Sequence, residues 1–277
     1  MAIEYGRKHG QCRHREGLFR LRRQSNQAIP LLPAFTGVAM SAETQRKNRL
    51  YVADFHNRTI RVFDDRWTDI TQSVPFELPA NLPSNLSPYN IQQLAGRLYV
   101  TFASVDLTGE EPGADVPGPG NGRLAEYDLD GRLLRVFVDA GRLNSPWGLA
   151  IAPPAFGPLA GSLLVANFGD GTIAAFDLWI GAFRDVLRDG SGTPLEIDGI
   201  WGLAFGNGVS LGDADSLYYT AGPNGEQDGV FGRLRYSDSK PGPPSRAGVA
   251  PVPESATLSL LGIGLAGAAV RRFGKRT

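Results

Sequence analysis

Four stretches of the chain repeat one pattern of short apolar runs, and a repeat of that length leaves few folds open. The first stretch holds FTGVAM (35–40), RLYVADF (49–55) and RTIRVFD (58–64). The second holds YNIQQL (89–94), RLYVTFA (97–103), GRLAEYDLDG (122–131) and LLRVFV (133–138). The third holds PWGLAI (146–151), SLLVANF (162–168), GTIAAFD (171–177) and FRDVL (183–187), and the fourth IWGLAF (200–205), SLYYTAG (216–222) and GVFGRLRY (229–236). Equivalent positions Gly37, Asn90, Gly148 and Gly202 are 53, 58 and 54 residues apart.

Each unit has three or four runs rich in Val, Ile, Leu, Tyr and Phe, separated by Gly, Asn, Asp or Pro, which is the pattern of antiparallel strands joined by turns. The 35 Gly and 20 Pro of the 277 residues fit frequent turns and few long helices. Such a sheet repeated every ~40–55 residues is the mark of a β-propeller blade. The runs LYVADF and LLVANF are almost continuously apolar, as expected of strands packed on both faces between neighbouring blades, whereas RTIRVFD alternates like an outer strand. Asp64, Asp128 and Asp177 each follow an aromatic residue where a turn should begin, and Asp130-Gly131 is a hairpin signal. The fold class is therefore all-β, a β-propeller of about four blade-like repeats over residues 29–238.

Two segments interrupt or follow the repeats. GEEPGADVPGPGNG (109–122) offers nothing to bury and reads as a mobile loop inside the second unit. The Pro-, Gly- and Ser-rich stretch at 239–251 reads as a linker, and after it come Val252, Pro253 and Glu254, fifteen uncharged residues (256–270) and the cluster headed by Arg271 and Arg272. Fifteen helical residues span ~22 Å, short of the ~30 Å hydrocarbon core, so this is a marginal membrane helix with a basic stop behind it.

Charge balances overall, 28 Lys plus Arg against 28 Asp plus Glu, so no global field draws the protein to nucleic acid. Residues 1–28 nevertheless hold seven basic side chains against two acidic, with no apolar run long enough for a secretory signal, and are expected to stand outside the fold as a disordered or non-native segment. Cys12 is the sole cysteine, which excludes a disulfide framework and a cysteine-rich zinc site. No histidine pair has metal spacing, and neither a Gly-x-Ser-x-Gly elbow nor a phosphate-binding glycine loop is present. Asp128-Leu129-Asp130-Gly131 lacks the later ligands of a calcium loop and reads as a turn. Trp147 and Trp201 occupy equivalent places and are expected to pack between blades. Asn167, Asp170 and Asp198 fall near strand ends, where they cap turns or hold a ligand or metal.

Two resemblances add to this reading. The order Val252-Pro253-Glu254, short apolar span and terminal arginine cluster resembles the PEP-CTERM protein-sorting signal of Gram-negative bacteria, with Ser255 where that signal usually has a second proline. The strings at 143–177, 197–208 and 217–234 resemble a family of bacterial secreted propellers of uncharacterised function, many carrying that signal and having about two further blades upstream. The resemblance implies export to the periplasm or cell surface, membrane retention, an exosortase-type processing enzyme as partner, association with extracellular polysaccharide, and an incomplete six-bladed ring; no cofactor is expected. In lactonase-type six-bladed propellers, acids and amides at places like Asn167, Asp170 and Asp198 hold a metal. The expectation is thus a non-enzymatic, membrane-tethered binding or structural propeller, and its rival a metal-dependent lactonase-like hydrolase. An incomplete ring would leave apolar faces open on the first unit (Leu50, Val52, Phe55, Ile60, Val62) and the fourth (Leu217, Tyr219, Val230, Leu234).

Overall fold

The computed structural model describes residues 32–41, 48–74, 76–106 and 113–237. The chain divides into Met1–Pro30 and Leu31–Thr277, and all described residues belong to the second unit. The expectations placed on residues 1–28 and 239–277, including Val252, Pro253, Glu254, Arg271 and Arg272, lie outside the described residues. Within them no helix is long and apolar enough to cross a membrane.

Among the described residues fourteen strands form four small antiparallel sheets, so the fold is all-β and propeller-like. The first sheet is β1 (Phe35–Met40), β2 (Leu50–Asp54) and β3 (Thr59–Phe63). The second is β4 (Leu86–Leu94), β5 (Arg97–Ser104), β6 (Gly122–Tyr127) and β7 (Leu133–Val136). The third is β8 (Pro146–Ile151), β9 (Ser162–Asn167), β10 (Ile173–Asp177) and β11 (Phe183–Val186). The fourth is β12 (Ile200–Phe205), β13 (Ser216–Ala221) and β14 (Val230–Arg235). Every sheet is a meander in chain order, and the first strands β1, β4, β8 and β12 touch one another in sequence.

The repeat read from the sequence is repeated in the backbone. Each first strand has a bulge at the same place, between Phe35 and Gly37, Pro88 and Asn90, Pro146 and Leu149, and Ile200 and Leu203. Bulges bend and twist a strand, which lets four short strands crowd side by side. The crowding explains the residues there. A Cβ on Gly148 would overlap the Trp201 carbonyl and the Leu203 amide of β12, and one on Gly37 would overlap Asn90 of β4. Asn90, at the equivalent point, instead donates its side-chain amide to the Trp147 carbonyl at 2.7 Å. Each sheet is also clasped at one end by an amide beyond its second strand: Phe55 N–H donates to Ala34 O (2.8 Å), Val105 to Asn85 O (2.9 Å), Phe168 to Ser145 O (3.1 Å) and Gly222 to Gly199 O (2.8 Å).

Three apolar layers lie between successive sheets. Tyr51, Ala53, Ile60 and Val62 pack against Ile91, Leu98, Val100 and Tyr127. Tyr99 and Leu124 pack against Leu149, Leu163, Val165 and Phe176. Leu164, Ala166 and Ile173 pack against Ile200, Leu203 and Leu217. Phe55, Ile60 and Val62 therefore belong to a covered face, a correction to the open face expected of the first unit. That sheet's open side instead shows Phe35, Val38 and Met40, 41%, 50% and 58% exposed. In the fourth sheet Leu217 is likewise fully buried, while Val230 and Phe231 are exposed.

The turns follow from their aspartates. Asp64 accepts the amides of Arg66 (2.9 Å) and Thr68 (2.8 Å), Asp128 those of Asp130 (3.0 Å) and Arg132 (2.9 Å), and Asp177 those of Trp179 (2.8 Å) and Ile180 (3.0 Å). At Asp64 and Asp177 the backbone amides favour the charged form and hold the carboxyl below the usual carboxylate range. The described part of the insertion, residues 113–122, pairs with the end of the second sheet: Asp106 donates its amide to Ala114 O (2.8 Å) and Val116 to Ser104 O (2.8 Å), which extends the pairing of β5 beyond its end.

Candidate functional site

The cavity of interest lies where the β9–β10 turn meets the connection leading into β12. It has about 340 Å³ and is lined by Phe168, Gly169, Asp170, Gly171, Glu196 and Asp198. Gly171 makes this meeting possible: its φ is +76° and a Cβ there would strike the backbone of Ile197. Ile197 donates its amide to Gly171 O at 2.9 Å, and Gly171 donates to Asn167 O at 2.9 Å. The connection carrying Glu196 and Asp198 is thereby tied to the turn carrying Asp170.

The three residues singled out from the sequence divide between wall and frame. Asp170 closes its own turn, accepting the Thr172 amide (3.0 Å) and hydroxyl (2.6 Å) on Oδ1 and the Asn144 side-chain amide (3.1 Å) on Oδ2. Asp198 accepts the Asn224 amide on Oδ2 at 3.2 Å. Asn167 is fully buried and does not line the cavity. Its Oδ1 accepts the Asn144 amide (3.1 Å), and its Nδ2 donates to the Arg142 carbonyl (2.9 Å) and the Thr172 hydroxyl (3.0 Å). Asp170 and Asp198 thus share a wall, while Asn167 frames it from behind. Among the described residues no three His, Cys, Asp or Glu side chains converge on a metal position.

Sequence reasoning passed over Glu196 and Phe168. Glu196 sits in a strandless connection with no motif around it, and Phe168 looks like one more apolar residue of the run SLLVANF. The Phe168 ring lies 4.4 Å from that of Trp201, which meets Trp147 edge-on at 5.5 Å and Tyr89 at 6.3 Å. Trp147 is fixed in turn by its indole N–H, which donates to Thr36 O of β1 at 3.0 Å. The aromatic wall of the cavity is therefore the end of a stack that runs among the first strands. Among the described residues three carboxylates line the cavity and no Lys, Arg or His does, so it favours positive charge beside an aromatic surface.

No protein-family model matches the chain. Three uncharacterised proteins of Acanthamoeba polyphaga mimivirus are similar to it. One is 34% identical over 203 residues, covering 72% of this chain and 48% of its own length; another is 36% identical over 190 residues, covering 68% and 49%. The third is 37% identical over 171 residues, covering 61% and 31%. The chain thus spans from about a third to a half of the length of these relatives. They correct the expectation of a bacterial secreted family with a PEP-CTERM signal: the curated relatives found are viral. Among solved structures, Kuenenia stuttgartiensis hydrazine synthase is similar at a TM-score of 0.45 and 13% identity, over 77% of this chain and 49% of that one. The Fusarium graminearum GH93 α-L-arabinofuranosidase is similar at 0.44 and 12%, over 72% and 57%. A Xanthomonas campestris gluconolactonase is similar at 0.37 and 17%, over 63% and 66%.

Proposed function

We propose that the protein is a non-enzymatic binding module, built on an incomplete propeller, whose cavity between the β9–β10 turn and the β12 approach takes a small cationic ligand. The observation that carries this reading is the lining itself: Asp170, Glu196 and Asp198 with no basic side chain among the described residues, against Phe168 backed by Trp201. A cation there is attracted by the carboxylates and by the ring face, each contact being worth more in a recess than in open water. A cavity of about 340 Å³ suits a ligand of a few to a dozen heavy atoms.

Calorimetric titration with spermidine and choline tests the proposal, with arabinose as neutral control. Saturable binding of a cationic probe is expected, weakened at least tenfold in a Glu196→Gln/Asp198→Asn variant and weakened by salt. Absence of saturable binding by either cation, or binding unchanged in the variant, would overturn it. The hydrolase rival rests on Asp170 and Asp198 sharing one wall. A stoichiometric divalent ion in the purified protein, with lactone turnover lost in Asp198→Asn, would replace the binding reading.

A further inference from the structure

One wall of the cavity is tied to the second sheet through Asn144. This residue is buried, and its side chain lies so close to the β9–β10 turn that a Cβ on Gly169 would overlap it. Its backbone is bonded on both sides: the amide donates to Asn167 Oδ1 (3.1 Å) and the carbonyl accepts from Gly169 (3.1 Å). Its carboxamide spans two parts of the chain. Nδ2 donates to Asp170 Oδ2 (3.1 Å), and Oδ1 accepts the amide of Gly118 (2.7 Å), a residue of the insertion between β5 and β6 that does not line the cavity. Repeat position supports the assignment. Ser145 and Gly199 correspond as the carbonyls that clasp their sheets, so Asn144 stands where the fourth sheet has Asp198, which also reaches its own sheet's turn by accepting the Asn224 amide (3.2 Å).

The two ends fix the sense of the carboxamide. A backbone N–H can only donate and a carboxylate can only accept, so Gly118 takes Oδ1 and Nδ2 is left for Asp170. Asp170 Oδ1 already accepts the amide and hydroxyl of Thr172, which leaves Oδ2 as the oxygen with acceptor capacity for a ligand. We propose that the insertion of the second sheet tunes the cavity: Gly118, acting through the positioning residue Asn144, holds the Asp170 carboxylate where it receives the cation. The inference rests on the cation-binding reading of that cavity and adds a remote control of its affinity. A carboxylate held at both oxygens loses less freedom when a ligand arrives, so the held form binds more tightly. The coupling is reciprocal, so a ligand on Asp170 must tighten the Gly118 contact in turn.

Two measurements on the full chain test the proposal: calorimetric titration with spermidine and choline, and amide hydrogen exchange over residues 113–121. Gly118→Pro removes the donor without touching the cavity lining and should weaken cation binding about threefold to tenfold, the worth of one net hydrogen bond. Asn144→Ala should weaken it at least as much, and the double variant no further than Asn144→Ala alone, because both substitutions break one connection; two unrelated structural losses would multiply. Whichever cation binds should slow exchange over 113–121 by about threefold or more, and Asp170→Ala without ligand should speed it by about as much. The Asp170→Ala measurement leaves the insertion unaltered, so the test stands even if Gly118→Pro misfolds. Binding that Gly118→Pro leaves unchanged in a folded protein, or losses that multiply in the double variant, overturns the tuning and leaves the binding reading in place. Absence of binding by either cation removes the binding reading itself; the connection is then judged by Asp170→Ala, and unchanged exchange over 113–121 overturns it as well.

Discussion

Replacing Gly148 by alanine tests the reason given for how closely the first strands lie. The residue has an ordinary backbone conformation, so a loss of stability cannot come from forcing a left-handed φ. The added methyl would meet the carbonyl oxygen of Trp201 and the amide nitrogen of Leu203, both backbone atoms of β12. Neither can swing aside as a side-chain tip can. Relief requires β8 and β12 to part, loosening the layer that Leu164 and Ala166 form with Leu203. Overpacking of this kind costs about 1–3 kcal/mol, and contact with backbone places the substitution near the upper end. For a unit of about 200 residues each kcal/mol lowers the midpoint by roughly 2–4 °C, so a fall of about 5–10 °C is expected. Thermal melts followed by far-ultraviolet circular dichroism read it directly. Two companions grade the argument. Gly202→Ala meets only the Thr220 hydroxyl, at 3.0 Å, and should cost less. Gly229→Ala meets nothing within 4 Å and should stay within about 0.5 kcal/mol of the parent. If Gly148→Ala melts within a degree of the parent, or no lower than Gly229→Ala, the close-approach reasoning is refuted.

Ser145 holds a φ of +45° and a buried hydroxyl without a hydrogen-bond partner among the described residues, at the place where the fourth sheet has Gly199 with a φ of +64°. Ser145→Gly should therefore raise the free energy of unfolding by about 1 kcal/mol, as read by urea denaturation. Asn167→Ala removes three hydrogen bonds made by a buried side chain and should cost about 2–3 kcal/mol, with weakened binding at the cavity because the Asp170 turn loses its support. Asp69 is pushed down to about 2 by the Thr71 hydroxyl and by Arg61. Its folded value lies below its unfolded one, so its contribution is complete above about pH 4 and fades as pH falls toward 2. Asp69→Asn should flatten the acid limb of the stability curve across that window, as read by urea midpoints at half-unit steps of pH.

Strand spans were legible because apolar alternation and turn residues are local: β1, β8 and β12 begin and end where their runs do. Facing was not. Leu50 and Val52 sit on the opposite side of the first sheet from Ile60 and Val62, although all four look alike in the sequence. Which residues share a face depends on the residue standing directly opposite on the next strand, and turn length and bulges decide that. The cavity was half legible for a similar reason. Asp170 and Asp198 could be named from their turns, but Glu196 and Phe168 reach the same space only because Gly171 admits the Ile197 backbone, a contact between positions 26 apart.

The hydrogen bond from the Trp147 indole to Thr36 O joins positions 111 apart in the chain. Within each sheet, by contrast, every strand pairs with a chain neighbour through a short connection. Closing a long loop is entropically harder than closing a short one, so the sheets should form early and singly, and the contact between the first and third sheets late. This bond, which skips the second sheet, is thus expected to report the final step of assembly. Trp147→Phe, which keeps a ring but removes the donor, should speed unfolding more than it slows refolding.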